Sequence, residues 1–210
     1  MIVKTLSNNL LQVNTYFIID NDKCLIVDPG SNTKKILEII NKEKINVVGV
    51  VLTHAHFDHF LSCNEINHYF NVPLYVHPKG IELLYNPEKN VSAFIPHMSL
   101  LELDENILVT TINEETKDIA GFKLNVFHVP GHSPDGICLY FKDSKIVFSG
   151  DSLFKLSIGR SDFYSGNEKQ LIKNIKNKLF SLPDDTIVYP GHGPTTTIGY
   201  EKKNNLYLKN

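Results

Sequence analysis

The spacing of apolar and polar positions divides the 210-residue chain into short strands and a few helices. Asn14–Asp20 and Lys23–Asp28 are two strand-like runs turning at Asn21-Asp22, the pattern of a hairpin, and Asp28-Pro29-Gly30 is a turn signal after it. A helix is expected next. Ser31 or Asn32 can cap it, because a short oxygen-bearing side chain accepts the unpaired N–H groups of a first turn. Ile36, Ile39 and Ile40 then share one face, with Lys42 and Lys44 near the end, and Leu171, Ile172, Ile175 and Leu179 repeat that helical spacing later. Between the two helices lie Val47–Leu52, Leu124–Val129 and Ile146–Phe148, and Ile187–Tyr189 follows the second. These runs are β-branched, aromatic and too short for helices, so they read as mostly buried strands.

The residues after each run carry the chemistry. Val47–Leu52 leads into Thr53-His54-Ala55-His56-Phe57-Asp58-His59, and Leu124–Val129 into Pro130-Gly131-His132. Ile146–Phe148 leads into Ser149-Gly150-Asp151, and Ile187–Tyr189 into Pro190-Gly191-His192. Four strands therefore deliver ligand-type side chains at their C-terminal ends. Gly131, Gly150 and Gly191 each stand one residue before a ligand, where a chain without a Cβ can turn sharply in crowded surroundings. Open α/β architectures place sites on such loops, although that rule does not say that these four strands are neighbours.

Composition narrows the setting. A length of 210 residues, 42% hydrophobic and 21% charged, fits one folded domain spanning 1–210, with no repeat, low-complexity tract or linker to divide it. The net charge of -2, with both signs interspersed, supplies no basic field for nucleic acid and no polybasic block for anionic lipid. No apolar run approaches the roughly 20 residues of a membrane span. Lys4, Ser7, Asn8 and Asn9 interrupt the N-terminal segment before a secretory apolar core could form, so a cytoplasmic location is expected. The 3 cysteines, Cys24, Cys63 and Cys138, form no Cys-x-x-Cys pair and read as reduced, packed thiols. The expected partner is a small-molecule substrate; nothing in the pattern fixes an oligomeric state.

His-x-His-x-Asp-His concentrates three imidazoles and a carboxylate within six positions, all suited to zinc, iron or manganese. With 9 His in 210 residues, such a hexad arises by chance in on the order of one chain per thousand. One ion rarely takes more than four protein ligands, and His132, Asp151 and His192 add three more. Seven ligands point to two ions: His54, His56 and His132 for one, Asp58, His59 and His192 for the other, and Asp151 bridging. A bridging carboxylate holds two metals at the separation of about 3.5–4 Å found in dinuclear hydrolases. His68 on an apparent helix, His77 and His128 at strand ends and His97 in a loop lack a second ligand at metal-binding spacing, and structural roles are expected for them. Asp28 is first a turn residue and second a group that could support the site.

The hexad with His132, Asp151 and His192 resembles the metallo-β-lactamase superfamily. Asp28-Pro29-Gly30, Gly150-Asp151-Ser152-Leu153-Phe154, Gly159-Arg160-Ser161-Asp162 and the segment from Gly191-His192-Gly193-Pro194 to Gly199 narrow the likeness to its glyoxalase II-like branch. The resemblance implies a four-layered αβ/βα sandwich with ligands on loops along one edge. It also implies hydrolysis of S-acyl glutathione thioesters such as S-lactoylglutathione. Asp151 speaks against true β-lactamases, whose corresponding ligand in the commonest class is a cysteine. Only 18 residues follow His192, where longer glyoxalase II enzymes carry a helical domain that helps grip glutathione, so the chain resembles the short bacterial form. Asp135, an added acid close to His132, and Phe163-Tyr164, where short homologues often have proline, are smaller departures.

Two divalent ions lower the pKa of a shared water toward about 7, so a metal-bridging hydroxide is the expected nucleophile, oriented by Asp58 and Asp151. A thiol leaving group, with a pKa of roughly 8.5, departs as thiolate without a strong general acid. No proton donor for an amine stands out beyond the ligand set, which favours thioesters over amides. Two cations against two carboxylates and one hydroxide leave a charge of about +1, suited to an anionic substrate. Arg160, Tyr164, Tyr200 and Lys202 are the substrate-binding candidates. A salt bridge to Asp162 competes for Arg160, and a solvated surface role competes for the other three. The nearest rival is a persulfide dioxygenase of the same fold, in which His54, His132 and Asp151 would bind a single Fe(II). A non-catalytic metal-binding module is opposed by the full ligand set, and a nuclease by the absence of a basic patch.

Overall fold

Period-two alternation sorts the residues of the N-terminal strands into two separate cores. Strands β1 (Ile2–Ser7), β2 (Asn14–Asp20) and β3 (Lys23–Val27) pair antiparallel, the β2–β3 hairpin turning at Asn21 and Asp22 as the sequence predicts. Phe17, Ile19, Cys24 and Ile26 face one core, and Tyr16, Ile18, Leu25 and Val27 the other. Parallel pairing then continues through β4 (Asn46–Val51), β5 (Leu74–Val76) and β6 (Val109–Thr111), giving six strands in chain order. Parallel neighbours need crossovers. Helix α1 (Thr33–Glu43) supplies the first, α2 (Phe57–Phe60) and α3 (Cys63–Phe70) the second, and α4 (Ile81–Leu84) lies in the third. Asn32, not Ser31, caps α1: its Oδ1 accepts from the N–H groups of Lys34 and Lys35, while the Ser31 hydroxyl donates to the Leu6 carbonyl.

The structure is a computed structural model that describes residues 1–7 and 12–209. Of the polar residues that interrupt the N-terminal segment, Lys4 and Ser7 belong to β1, and Asn8 and Asn9 lie outside the described residues.

Strands β7 (Thr116–Ile119), β8 (Phe122–His128), β9 (Ile137–Phe141) and β10 (Ile146–Gly150) form an antiparallel meander. A small hairpin, β11 (Leu153–Phe154) with β12 (Ser157–Ile158), and helix α5 (Glu168–Asn174) follow. The chain returns as β13 (Ile187–Pro190), parallel to β10, and finishes with β14 (Thr196–Thr197) and α6 (Ile198–Asn204). The second sheet is thus ordered β14-β13-β10-β9-β8-β7. The later helical pattern is realised with a change of pitch: α5 ends at Asn174 and continues as a π-helical turn over Ile175–Leu179, which keeps Leu171, Ile175 and Leu179 buried on one face.

Three cores separate four layers. One lies between the first sheet and α1 to α4, and includes Ile36, Ile40, Ile66 and Leu83. The second lies between the sheets, where Phe122, Leu124, Leu139 and Phe148 meet Tyr16, Leu25 and Val51. The third packs Cys138, Tyr140, Val147 and Val188 of the second sheet against Leu171, Ile175 and Ile198. The architecture is an αβ/βα sandwich. Because β9 runs antiparallel to both β8 and β10, and β13 parallel to β10, the C-terminal ends of β8, β10 and β13 open on one edge. The end of β4 reaches that edge from the other sheet, tied by the Ile137 N–H donating to the Thr53 carbonyl at 2.8 Å. Among the described residues no helix is long and apolar enough to cross a membrane, and all three cysteines are free and buried.

Candidate metal centre

The strand ends bring the seven candidate ligands into one cluster. Strand β4 releases the chain at Val51, Thr53 leads to His54 and His56, and α2 carries Asp58 and His59 on its single turn. His132 follows β8, Asp151 follows β10, and His192 follows β13. Gly150 has a φ of +48°, and a Cβ there would fall 2.4 Å from Thr53 Oγ1. Gly191 serves differently: a Cβ would fall 2.1 Å from Asp151 Oδ1, so the bare backbone leaves room for that carboxylate.

Ligand atoms of His54, His56 and His132 lie within 4.8 Å of one another, and so do those of Asp58, His59 and His192. Asp151 stands between these sets, its Oδ2 3.5 Å from Nε2 of both His132 and His192, its Oδ1 3.4 Å from His59 Nε2. Hydrogen bonds behind the rings set which nitrogens face inward. His132 Nδ1 donates to the Arg160 carbonyl at 2.7 Å, and His59 Nδ1 to Asp28 Oδ2 at 2.9 Å. His54 Nδ1 lies 3.3 Å from Thr53 Oγ1, which in turn donates to Asp28 Oδ2 at 2.6 Å. The Nε2 atoms of His54, His59 and His132 are thereby left as inward lone pairs.

A cation would satisfy those lone pairs. His54 Nε2, His56 Nδ1 and His132 Nε2 sit 2.9–3.2 Å apart, too many acceptors for the single proton that His56 Nδ1 could share. His59 Nε2 and Asp151 Oδ1 are buried without a hydrogen-bond partner, a costly state unless a further group satisfies them. A nitrogen and carboxylate donor set of this kind fits divalent zinc, iron or manganese. Electrostatics agree. Burial holds His54 well below the ordinary imidazole range, helped by the neighbouring rings, and together with His132 it brings His56 down to about 3. Burial also lowers His132, so the first set is neutral and ready to ligate. Burial opposes ionisation of Asp58 and Asp151, yet His59 and its neighbours hold both carboxyls below their usual value. His59 and His192 are raised against burial, His59 by Asp151, Asp28 and Asp58, and His192 by Asp58 and Asp151. The second set therefore favours positive charge, carried by protons or by a cation.

Asp28 has a φ of +52°, in the left-handed region that Asp tolerates, and its buried carboxylate also accepts the Thr53 N–H at 2.7 Å. It is both the turn residue and the support. Asp135 is a second buried carboxylate, accepting the Ala55 N–H at 2.8 Å and so joining the loop after β8 to the hexad; burial raises its pKa to about 6. Sequence patterning contained no signal for the Asp135 contact, because it links positions 80 residues apart.

A cleft of about 580 Å³ opens over the cluster, lined by His56, Asp58, His132, Asp151 and His192 and by Arg160 at its side. Arg160 makes two hydrogen bonds to Asp162, at 2.7 and 2.6 Å, and stacks on Phe163 at 4.2 Å. The other substrate-binding candidates do not line this cleft: Tyr164 lies beside Lys89, Tyr200 beside Lys155, and Lys202 pairs with Asp184 at 2.6 Å. His77 and His128 stack on each other at 3.9 Å, and His68 pairs with Asp104 at the surface.

The chain is similar to known proteins in sequence and in fold. The chain is 36% identical to a probable metallo-hydrolase of Bacillus subtilis, YqgX, over 94% of this chain and 93% of that protein. It is 32% identical to the hydroxyacylglutathione hydrolase GloC of Haemophilus influenzae, over 94% and 93%. Among solved structures, BLEG-1, described as a B3 metallo-beta-lactamase, superposes with a TM-score of 0.93 at 34% identity, covering 100% of both chains. TTHA1623, solved in a di-iron-bound form, superposes at 0.86 with 32% identity, covering 98% of this chain and 100% of that one. The pattern of the Metallo-beta-lactamase superfamily matches residues 8–192, and the chain belongs to that superfamily.

Proposed function

We propose that this protein is a dinuclear metal-dependent hydrolase of S-acyl thioesters, with S-acyl glutathiones such as S-lactoylglutathione as its substrate class. The observation that carries the reading is the position of Asp151, within 3.5 Å of ring nitrogens belonging to both ligand sets. In this reading His54, His56 and His132 would hold one ion and Asp58, His59 and His192 the other, with Asp151 shared between the two sets. When bound, such ions would supply positive charge to polarise a carbonyl and would lower the pKa of a coordinated water. The protein's own groups do the rest. Asp58 and Asp151 present acceptor oxygens at the cleft floor, where they orient an attacking water. Thr53 and Asp28 hold His54 and His59 in the ligating tautomer. The thiolate leaves without a general acid, consistent with a cleft whose buried carboxyls are held ionised.

The name of the Haemophilus relative supports thioester chemistry, and the di-iron form of TTHA1623 supports two ions of the zinc, iron or manganese type. A persulfide dioxygenase would hold one iron on His54, His132 and Asp151, so the number of ions per chain separates the two readings. Metal analysis of purified protein, run alongside S-lactoylglutathione cleavage, tests the reading. Two ions per chain and hydrolysis without oxygen uptake are expected. One iron with oxygen consumption on glutathione persulfide, or turnover of a β-lactam in place of any thioester, would overturn it.

A further inference from the structure

The cleft walls are chemically unlike the cluster at its floor. Val91, Phe94, Ile95, Phe154, Ile158 and Phe163 form them, and beyond the candidate ligands the polar lining residues are Ser157 and Arg160. The Arg160 charge is already matched by Asp162 and covered on one side by Phe163. Among the described residues no lysine lines this cleft. An acyl group as small and hydroxylated as lactoyl would leave most of this apolar surface in water, which is unfavourable in proportion to its area.

The wall is also built to stay in place. Val91 has a φ of +75°, a strained conformation for a β-branched residue that needs support from its surroundings. Asn90, fully buried, provides that support: its side chain donates to the Leu83 and Leu101 carbonyls and accepts the Ser92 N–H, and its own carbonyl accepts the Phe57 N–H at 2.9 Å. Phe57 adjoins Asp58, so the strained turn is fastened directly to the helix that carries candidate ligands. The 3₁₀ turn Ser92–Phe94 then holds Phe94 at the cleft, 69% exposed, an apolar ring with its face still to be covered.

From this we infer that the site selects thioesters with an apolar acyl group, aliphatic chains of about four to six carbons or an aryl-acetyl group, packed against Val91, Phe94 and Ile95. The inference rests on the thioester hydrolase reading and narrows its substrate class. With glutathione kept as the common thiol, S-acetyl-, S-lactoyl-, S-butanoyl-, S-hexanoyl- and S-phenylacetylglutathione isolate the acyl group. Each methylene moved from water to an apolar wall favours binding by about fourfold, so kcat/KM should climb steeply from acetyl to hexanoyl, with lactoyl among the poor substrates. Phe94→Ser should cut the hexanoyl-to-acetyl ratio by about threefold or more, because it removes apolar wall without touching a ligand residue.

A second measurement does not depend on turnover. Calorimetry on the metal-loaded protein compares S-hexylglutathione with S-methylglutathione, neither of which can be hydrolysed; tighter binding of the hexyl form with a negative heat-capacity change is expected. A flat acyl series, or lactoyl as the best substrate, overturns the inference and leaves the hydrolase reading standing. Cleavage of none of the five thioesters, with the hexyl ligand still preferred, overturns the hydrolase reading and supports the apolar ligand class. Equal binding of the two thioethers counts against the apolar class by itself.

Discussion

His59 donates its Nδ1–H to Oδ2 of Asp28 at 2.9 Å, and both side chains are buried. The same carboxylate accepts from the N–H and the hydroxyl of Thr53, so one left-handed Asp at the end of the hairpin orients a ring in each ligand set. Removing its charge while keeping its shape should loosen both rings. Asp28→Asn, which tolerates the positive φ, is expected to weaken metal affinity by about 10–100-fold, measured by competition with a chromophoric chelator. Affinity equal to wild type would show that Asp28 is only a turn residue.

Gly191→Ala tests the close approach at the centre of the cluster. The added methyl would lie 2.1 Å from Asp151 Oδ1 and 2.7 Å from His59 Cε1, so the carboxylate must move. Loss of at least one bound metal equivalent is expected, with a stability cost of about 1–3 kcal/mol for overpacking. Elemental analysis and urea denaturation read the two effects separately. Full metal content in the variant would mean that Asp151 does not hold the central position when metal is bound.

Asp135 gives a pH signature. Burial raises its pKa from 3.8 to about 6, so the folded protein binds this proton more tightly than the unfolded chain does. Folded stability therefore falls as pH rises from about 4 to about 6, by on the order of 3 kcal/mol at 1.36 kcal/mol per unit. In metal-free protein, Asp135→Asn should lack that decline: its Tm advantage over wild type grows through this window and levels off above it. A Tm difference that does not change between pH 4 and 7 would refute the assignment.

Phe148→Ala probes the core between the sheets. Phe148 is fully buried, with ring centroids 5.1 Å from Tyr16, 5.2 Å from Tyr189 and 5.8 Å from Phe141. A loss of about 3–5 kcal/mol in urea unfolding is expected for a truncation of this kind, with no change in the far-ultraviolet spectrum of the folded state. A loss below about 1 kcal/mol would mean that the two sheets can close over the cavity.

Features governed by near neighbours were legible along the chain. The β2–β3 hairpin, the capped helix α1 and the glycines before Asp151 and His192 depend on residues within a turn or two of one another, where propensity and spacing act directly. The cleft wall was not legible. Val91 to Ile95 lie outside any α-helix or strand, and the bonds of Asn90 that hold them reach Leu83, Leu101 and Phe57, which no periodicity connects. The departures Asp135 and Phe163 were visible as unusual residues, but their contacts with Ala55 and His56 join segments far apart in the chain.

The amino-acid order by itself determined which donor groups this protein carries, the strand ends from which they project, and which stretches alternate apolar and polar side chains. Those properties are local, set by side-chain chemistry and by the backbone preferences of short segments. Tertiary structure decided that β4 meets β8, β10 and β13 at one edge, that Asp151 stands between the two triads, and that Tyr164, Tyr200 and Lys202 point elsewhere. Burial of three apolar cores governs those outcomes, and it is a long-range property: a strand's face is written in its own residues, but its neighbour is chosen by everything packed around it.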